Sequence, residues 1–193
     1  MPHIEIPDEL WNQINTQREQ FAIPSNQDFL RFCVEAAQTR YCPAVSAIVI
    51  RNKSEILMVG NDYGGDELVW NMPGGAVDPG EDLLQAVTRE LHEETNITAL
   101  EIGPLAWIGQ AVLQNKHPFL FGFAFVVTDW EGEVSIANEV EHGDVQQARF
   151  MPFDEALECM LPGNRNPFRD WLADPEGELR FYFSNPEGVR RIG

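Results

Sequence analysis

The sequence predicts an α/β fold of the α+β kind: a sandwich with a mixed β-sheet between helices, preceded by a helical N-terminal extension. Three observations carry this. Val45 to Ile50 is a nearly continuous apolar run, the composition of a strand buried on both faces. Gly74 to Ile97 is a glycine-flanked span whose Leu84, Val87 and Leu91 fall on one helical arc. Strand-like segments lie on both sides of that helix and a second helix follows the last of them, an order that suits a sheet covered by helices.

The chain opens with a polar segment, residues 1 to 42, expected to be a helical extension. Asp8 is placed to cap a helix carrying Leu10, Trp11 and Ile14. Pro24-Ser25 breaks that pattern, and Ser25 with Asp28 is spaced like a capping box. Phe29, Phe32, Cys33 and Ala36 then form an apolar stripe. Packing on the main domain, a lid over a cleft and a homodimer contact all suit such a pair, and the sequence leaves the three open.

Pro43 marks the start of the main domain, residues 43 to 162. The polar turn Arg51-Asn52-Lys53-Ser54 returns the first strand as Glu55 to Val59. Asn61 to Asp66, with Gly64-Gly65, reads as a loop. Leu68 to Met72 is a strand leading into Pro73-Gly74-Gly75, where glycine lets backbone approach a ligand closely. Asp78-Pro79-Gly80 is turn chemistry. Glu81 and Asp82 put negative charge at the positive end of the helix, and Asn96 stands where a left-handed residue closes it. Further strands are expected at Ala99 to Ile102, Leu105 to Val112, Leu120 to Thr128 and Gln147 to Met151, then a helix over Phe153 to Met160. Residues 163 to 193 are a tail packing on the domain, with a short helix at Phe168 to Trp171 and an edge strand at Glu178 to Phe183. No function is legible in the tail.

The length of 193 residues suits one domain with an appendage and suffices to bury a core. Thirty-one acidic residues against 13 basic ones give a net charge of −18. Long nucleic acid is therefore an unsuitable partner, because binding it needs a basic face that releases counterions. No run is long and apolar enough for a membrane span, and no basic-then-apolar leader opens the sequence. Cys33, Cys42 and Cys159 are odd in number and widely spaced, which fits neither a disulfide framework nor a zinc motif. The expected setting is reducing and cytoplasmic.

The chemistry concentrates at Glu90, Glu93 and Glu94. At i, i+3 and i+4 they share one helix surface. Like charges so close repel, so a helix does not gather them for stability. A divalent cation removes the repulsion, and carboxylate oxygens are the ligands that Mg²⁺ and Mn²⁺ prefer.

The same stretch resembles the signature of the Nudix hydrolases. Gly75 is followed after five residues by Glu81, and seven more lead to Arg89-Glu90, Leu91, His92, Glu93-Glu94, Thr95, Asn96 and Ile97. Every charged position of the family's pattern is filled. The one departure is Asn96 where the family has glycine, and Asn is the next most tolerant residue for a left-handed backbone. Trp70 to Gly74 looks like the family's lead-in strand. The resemblance covers roughly residues 43 to 160 and implies a Nudix-type α/β/α sandwich.

It also implies a reaction: Mg²⁺-dependent cleavage of a diphosphate bond in a nucleoside diphosphate derivative, with Mn²⁺ as a substitute. By resemblance, Glu90 and Glu94 are the main metal ligands, Glu93 is a ligand or the general base, and a main-chain carbonyl near Gly74 joins the shell. Arg89 orients a glutamate, and Glu81 is an outer or extra ligand. A further acid of the family's kind is sought in a later loop, at Glu139 or Glu141. His142 and His117 are weaker candidates for base or substrate contact, and His92 is expected to face solvent. Phosphate contacts are sought in Arg51, Lys53, Lys116 and Arg149, and base stacking in Phe119, Phe121, Trp107 or Tyr63.

The substrate is a small nucleotide. The marks of relatives acting on NADH, ADP-ribose, dinucleoside polyphosphates and coenzyme A are missing, which leaves a nucleoside triphosphate or modified nucleotide by elimination. Two rivals stand beside this. One is a catalytically silent Nudix module that senses a nucleotide or binds a partner, although such a module should have lost motif acids. The other is an isopentenyl diphosphate isomerase, whose cysteine motif neither Cys42 nor Cys159 matches.

Overall fold

The computed structural model describes residues 41–112, 119–137, 144–185 and 187–193, and Tyr41–Gly193 form one compact unit. The expected N-terminal helices lie outside the described residues.

The sheet is mixed. Its strands are β1 (Tyr41–Arg51), β2 (Glu55–Asn61), β3 (Val69–Asn71), β4 (Thr98–Val112), β5 (Phe119–Glu131), β6 (Val145–Pro152), β7 (Arg180–Asn185) and β8 (Gly188–Arg191). They lie in the order β3-β2-β1-β5-β4-β7-β8, with β6 also pairing β2. β1 runs parallel to β5 and β4 parallel to β7, while the other pairings are antiparallel.

The apolar run of β1 divides between two cores. Val45, Ala47 and Val49 point to one face, where Ala86, Val87 and Leu91 of α1 (Leu83–Thr95) cover them. Ile48 points to the other, against Ala156 of α2 (Phe153–Cys159) and Phe168 and Trp171 of α3 (Pro162–Ala173). Period-2 alternation into two cores is why the run shows no polar face.

α1 begins at a reciprocal cap. Asp82 accepts from the Leu84 and Gln85 backbone N–H at 2.9 Å, and the Gln85 side chain accepts from the Asp82 N–H at 2.9 Å. A cap of this kind contributes about 1 kcal/mol. The helix ends at Asn96, φ 59° and ψ 11°, the left-handed closure that the sequence called for. One expectation is corrected. Leu84 is 51% exposed, because the buried arc runs through Ala86, Val87, Glu90, Leu91 and Glu94, with Leu83 packed beside it. The arc is thus centred nearer the glutamates than the apolar pattern suggested.

Other differences are of extent. The two strands expected between 99 and 112 are one strand with register shifts around Glu101 to Trp107. The tail is larger than expected: α3 spans Pro162–Ala173 and buries Phe168 completely, and β8, not β7, is the edge.

Candidate active site

The turn before α1 is held against β1 as a partial strand. Ala47 N–H donates to the Pro73 carbonyl at 2.8 Å, Val45 N–H to the Gly75 carbonyl at 2.9 Å, and Val77 N–H to the Pro43 carbonyl at 3.0 Å. Gly74 takes φ 152°, and a Cβ there would overlap the Val45 carbonyl. Only glycine fits both demands. Its N–H donates to Glu94 Oε2 at 2.7 Å, which joins the turn to the helix. Its own carbonyl accepts no hydrogen bond from any described residue. At Gly75 a Cβ would stand 2.5 Å from Glu90 Oε1, so the missing side chain lets that carboxylate lie against the backbone.

Arg89 organises the acids. Its Nε and Nη2 donate to the two oxygens of Glu81, each at 3.0 Å, a bidentate fork. Nη1 donates to Glu90 at 2.8 Å and to Glu93 at 3.1 Å, and Nη2 also reaches the Ala76 carbonyl at 3.0 Å. The Glu81 hydrogen bonds, then those to Glu90 and Glu93, raise the Arg89 pKa against the opposing effect of burial. The same fork holds the Glu81 carboxyl below its usual value. Glu90 and Glu94 are each only 8% exposed, the first held by Arg89 and the second by the Gly74 N–H.

Glu90, Glu93 and Glu94 line one cleft of 260 Å³ with Gly74, Gly75, Asp78, Asn61, Tyr63, Asn71 and Asp144. Among the described residues no three acidic, His or Cys side chains converge as a finished metal shell. The reason is visible in the pairing: Glu90 and Glu93 are turned to Arg89, and Glu94 to the Gly74 N–H. In chemistry the donor set is all oxygen, three carboxylates with a carbonyl, which suits a hard divalent cation.

The cleft therefore brings together Glu90, Glu93, Glu94 and Gly74, with Arg89 behind them. Arg51 is not brought there. It forks onto Glu55 at 3.0 Å and lies over the Phe150 ring. Nor is Arg149, which pairs with Glu155 at 2.6 Å and lies over Trp70. Both are consumed by neighbours on their own strands and turns, a pairing that a count of cations cannot foresee. Phe121 does not line the cleft, and Trp107 is 2% exposed within the core. His92 is exposed, as expected. Glu141, Lys116, Glu139, His117 and His142, and the Phe119 side chain, lie outside the described residues.

Asp144 and Tyr63 are among the cleft residues that carried no catalytic expectation. Asp144 follows the acidic loop in which Glu139 and Glu141 were singled out, and its carbonyl accepts from the Asp62 N–H at 2.8 Å. Its signal was present, a third acid in one short stretch. Tyr63 was named only for stacking. Partial burial of its phenol, then the charges of Asp144 and Glu94, push its pKa up.

A family model described as NUDIX domain matches residues 40–172. RNA pyrophosphohydrolase of Afipia carboxidovorans is 42% identical over 140 residues, covering 61% of this chain and 82% of the relative. RNA pyrophosphohydrolase of Rhodopseudomonas palustris strain BisA53 is 41% identical over 139 residues, covering 68% and 73%. Among solved structures, a MutT protein of Bacillus halodurans is similar with a TM-score of 0.59 at 23% identity, over 79% of this chain and 95% of that one. A MutT protein of Methanosarcina mazei Go1 gives 0.58 at 22%, over 72% and 99%. At such identities the structures speak for the fold alone.

Proposed function

We propose, on the premise that this chain belongs to the Nudix family and is a hydrolase of pyrophosphate bonds, that its substrate is a nucleoside triphosphate or modified nucleotide and that it works with Mg²⁺. The observation that carries the reading is the cleft in which Glu90, Glu93, Glu94 and the Gly74 carbonyl, which accepts from no described residue, meet. Nudix hydrolases are generally dependent on a divalent metal. Here Glu90, Glu94, Glu93 and the Gly74 carbonyl would hold it. When bound, such a cation neutralises phosphate oxygens and favours attack by water.

The chain's own residues do the rest. Arg89 holds Glu93 by one hydrogen bond and Glu81 by two, so Glu93 is aimed without being neutralised. Glu93 is the most solvent-accessible of the three acids, with its side chain 29% exposed, and is placed to take the proton of the attacking water. Glu90 and Glu94, nearly buried, supply fixed negative charge. Asp144, across the cleft, takes the place of the later-loop acid sought at Glu139 or Glu141, with Glu141 kept as an alternative. Lys116 and Phe119 remain the proposed substrate contacts outside the described residues. The relatives' printed name makes an RNA 5′ end the competing substrate. The net charge of −18 favours the small nucleotide, since a long polyanion would be repelled. Among the described residues no helix is long and apolar enough to cross a membrane. Cys42 and Cys159 are free thiols, which fits the cytoplasm.

A substrate panel with Mg²⁺ tests this. It takes nucleoside triphosphates, oxidised nucleotides, ADP-ribose, NADH, dinucleoside polyphosphates, sugar nucleotides and 5′-triphosphorylated RNA, with products resolved and Glu93→Gln as the blank. Turnover of a nucleoside triphosphate class, abolished by chelator and restored by Mg²⁺ or Mn²⁺, is the expected result. Turnover of RNA alone overturns the substrate choice. Silence across the panel with nucleotide binding retained moves the reading to a sensor.

A further inference from the structure

β8, the edge strand beyond β7, carries opposite charges at its two ends. Arg190 and Arg191 are the one pair of adjacent basic residues in the sequence, in a chain of net charge −18. Arg51, Arg89, Arg149 and Arg180 are each paired with a carboxylate. Arg190 and Arg191 are exposed and pair with no side-chain carboxylate among the described residues. Arg190 lies over the Phe183 ring, 5.4 Å from its centroid, and Arg191 Nε donates to the Gly193 carbonyl at 2.9 Å. Glu187 precedes the strand at its other end, exposed and likewise without an ion pair among the described residues.

The backbone of this edge is open. Ile192 N–H donates to the Phe181 carbonyl at 2.8 Å, so it faces β7. Amide direction alternates along an antiparallel strand. Arg190, two residues back and opposite Phe183, therefore faces β7 as well. Val189 and Arg191 turn their N–H and C=O groups the other way, and β8 is the last strand on that side among the described residues. Beside these groups lies a groove of about 400 Å³, lined by Phe183, Asn185, Glu187, Gly188, Val189 and Arg190. Asn185 Oδ1 closes the turn by accepting from the Glu187 and Gly188 N–H groups at 3.0 and 3.1 Å. Gly188 takes φ 146°, which favours glycine, and a Cβ there would meet no described atom within 4 Å. The groove is thus unfilled at Gly188.

We propose that β8 pairs with β8 of a second copy of this chain, antiparallel about a two-fold axis at Val189, which joins the two sheets into one. An open strand edge is a template for another strand. In a two-fold pairing centred on Val189, the two Val189 residues exchange both backbone bonds. Arg191 then stands opposite the partner's Glu187, and Arg190 opposite the partner's Gly188. The charges that meet are opposite in sign, and each Arg190 enters the unfilled groove of the other copy, beside Glu187. A centre at Arg190 or Arg191 instead sets arginine against arginine, and like charges directly opposite are unfavourable. The charge pattern therefore selects both the partner and the register. The net charge of −18 opposes the approach of two copies, so the pairing strengthens as salt screens the general repulsion. The proposal is independent of the hydrolase reading, because no residue of the acidic cleft takes part.

The test is the mass of the full chain in solution, by sedimentation equilibrium over a concentration series at physiological salt. A monomer–dimer equilibrium is the expected result. Glu187→Arg and Arg191→Glu should each weaken it by about tenfold or more, since two opposite-charge pairs per dimer become like-charge pairs. Melting temperatures should stay at the wild-type value, because both side chains are exposed. The variant carrying both substitutions restores opposite signs and should regain the wild-type dimer. Val189→Pro removes an N–H that faces away from β7 and should leave a monomer. Should Val189→Pro melt early, the charge exchange carries the test alone. A wild-type chain that stays monomeric at every concentration overturns the pairing. So does a dimer that none of the variants weakens, which assigns association to another surface. A double variant as monomeric as its two parents overturns the Val189 register. A monomer with full turnover of nucleotides loses the pairing and keeps the enzyme reading, and a dimer that hydrolyses nothing does the reverse.

Discussion

The acidic cleft and the cavity beside it, a space of about 370 Å³ between the sheet and the start of α3 that shares Asn71 with the cleft, are built from glycine for opposite reasons. In the cleft the protein itself demands each one. Gly74 has a backbone conformation closed to other residues and no room for a side chain, and Gly75 yields its Cβ space to Glu90. In the cavity Gly109 and Gly122 answer no demand from any described neighbour. The first pair shapes the protein around its own charges, while the second leaves a volume unfilled. Glu90 and Glu93 of the cleft are engaged with Arg89, and Glu94 with the Gly74 N–H.

The hardest test of the cleft is Glu93→Gln. Loss of a positioned base lowers turnover by about 10²- to 10⁴-fold. The urea midpoint should barely move, because the Glu93 side chain keeps 29% of its surface in water and makes one hydrogen bond to Arg89. Wild-type kcat in that variant would remove Glu93 from the chemistry. Arg89→Ala comes next and strikes stability too. It leaves Glu81 and Glu90, whose side chains are 14% and 10% exposed, without their cation. The cost should be about 3 kcal/mol in chemical unfolding. Acid should shrink that gap. Glu81 is held below its ordinary value, so its contribution is complete above the unfolded pKa, about 4.3, and is lost as pH falls through the lower folded value. Unfolding midpoints of the two proteins should therefore approach each other below about pH 4. A gap constant with pH would assign the loss to packing of the guanidinium.

This contrast also decides what could be read in advance. The cleft was legible because its parts are close in sequence: a cap, a helix face and two glycines within Gly74 to Asn96. Helical periodicity converts such spacing directly into geometry. Even there, the fate of Arg51 and Arg149 was hidden, since pairing with Glu55 and Glu155 depends on turns and strand ends. The cavity was illegible because Gly109, Gly122, Asn71, Asn164 and Ser184 come from five elements that only strand register and tertiary packing bring together. A lone glycine in a predicted strand says that something is near the backbone, but not whether that is protein or ligand. Likewise the tail read as an appendage, because nothing local in Arg180–Asn185 shows that it pairs with β4.

The sharpest form of the comparison makes one substitution in both places. Gly75→Ala sets a methyl carbon 2.5 Å from Glu90 Oε1 and 2.8 Å from Oε2, so the carboxylate must leave its place. A displacement of that order should lower kcat/KM by about 10²-fold and cost about 1–2 kcal/mol of stability. Gly109→Ala adds the same atom where no described neighbour lies within 4 Å, at a φ that alanine accepts. Removing glycine's freedom from the unfolded chain should then stabilise the protein by about 0.5 kcal/mol, read as a small rise in the denaturation midpoint. Stability falling by as much as in Gly75→Ala would mean that this position is packed after all, and the two regions would no longer differ in kind.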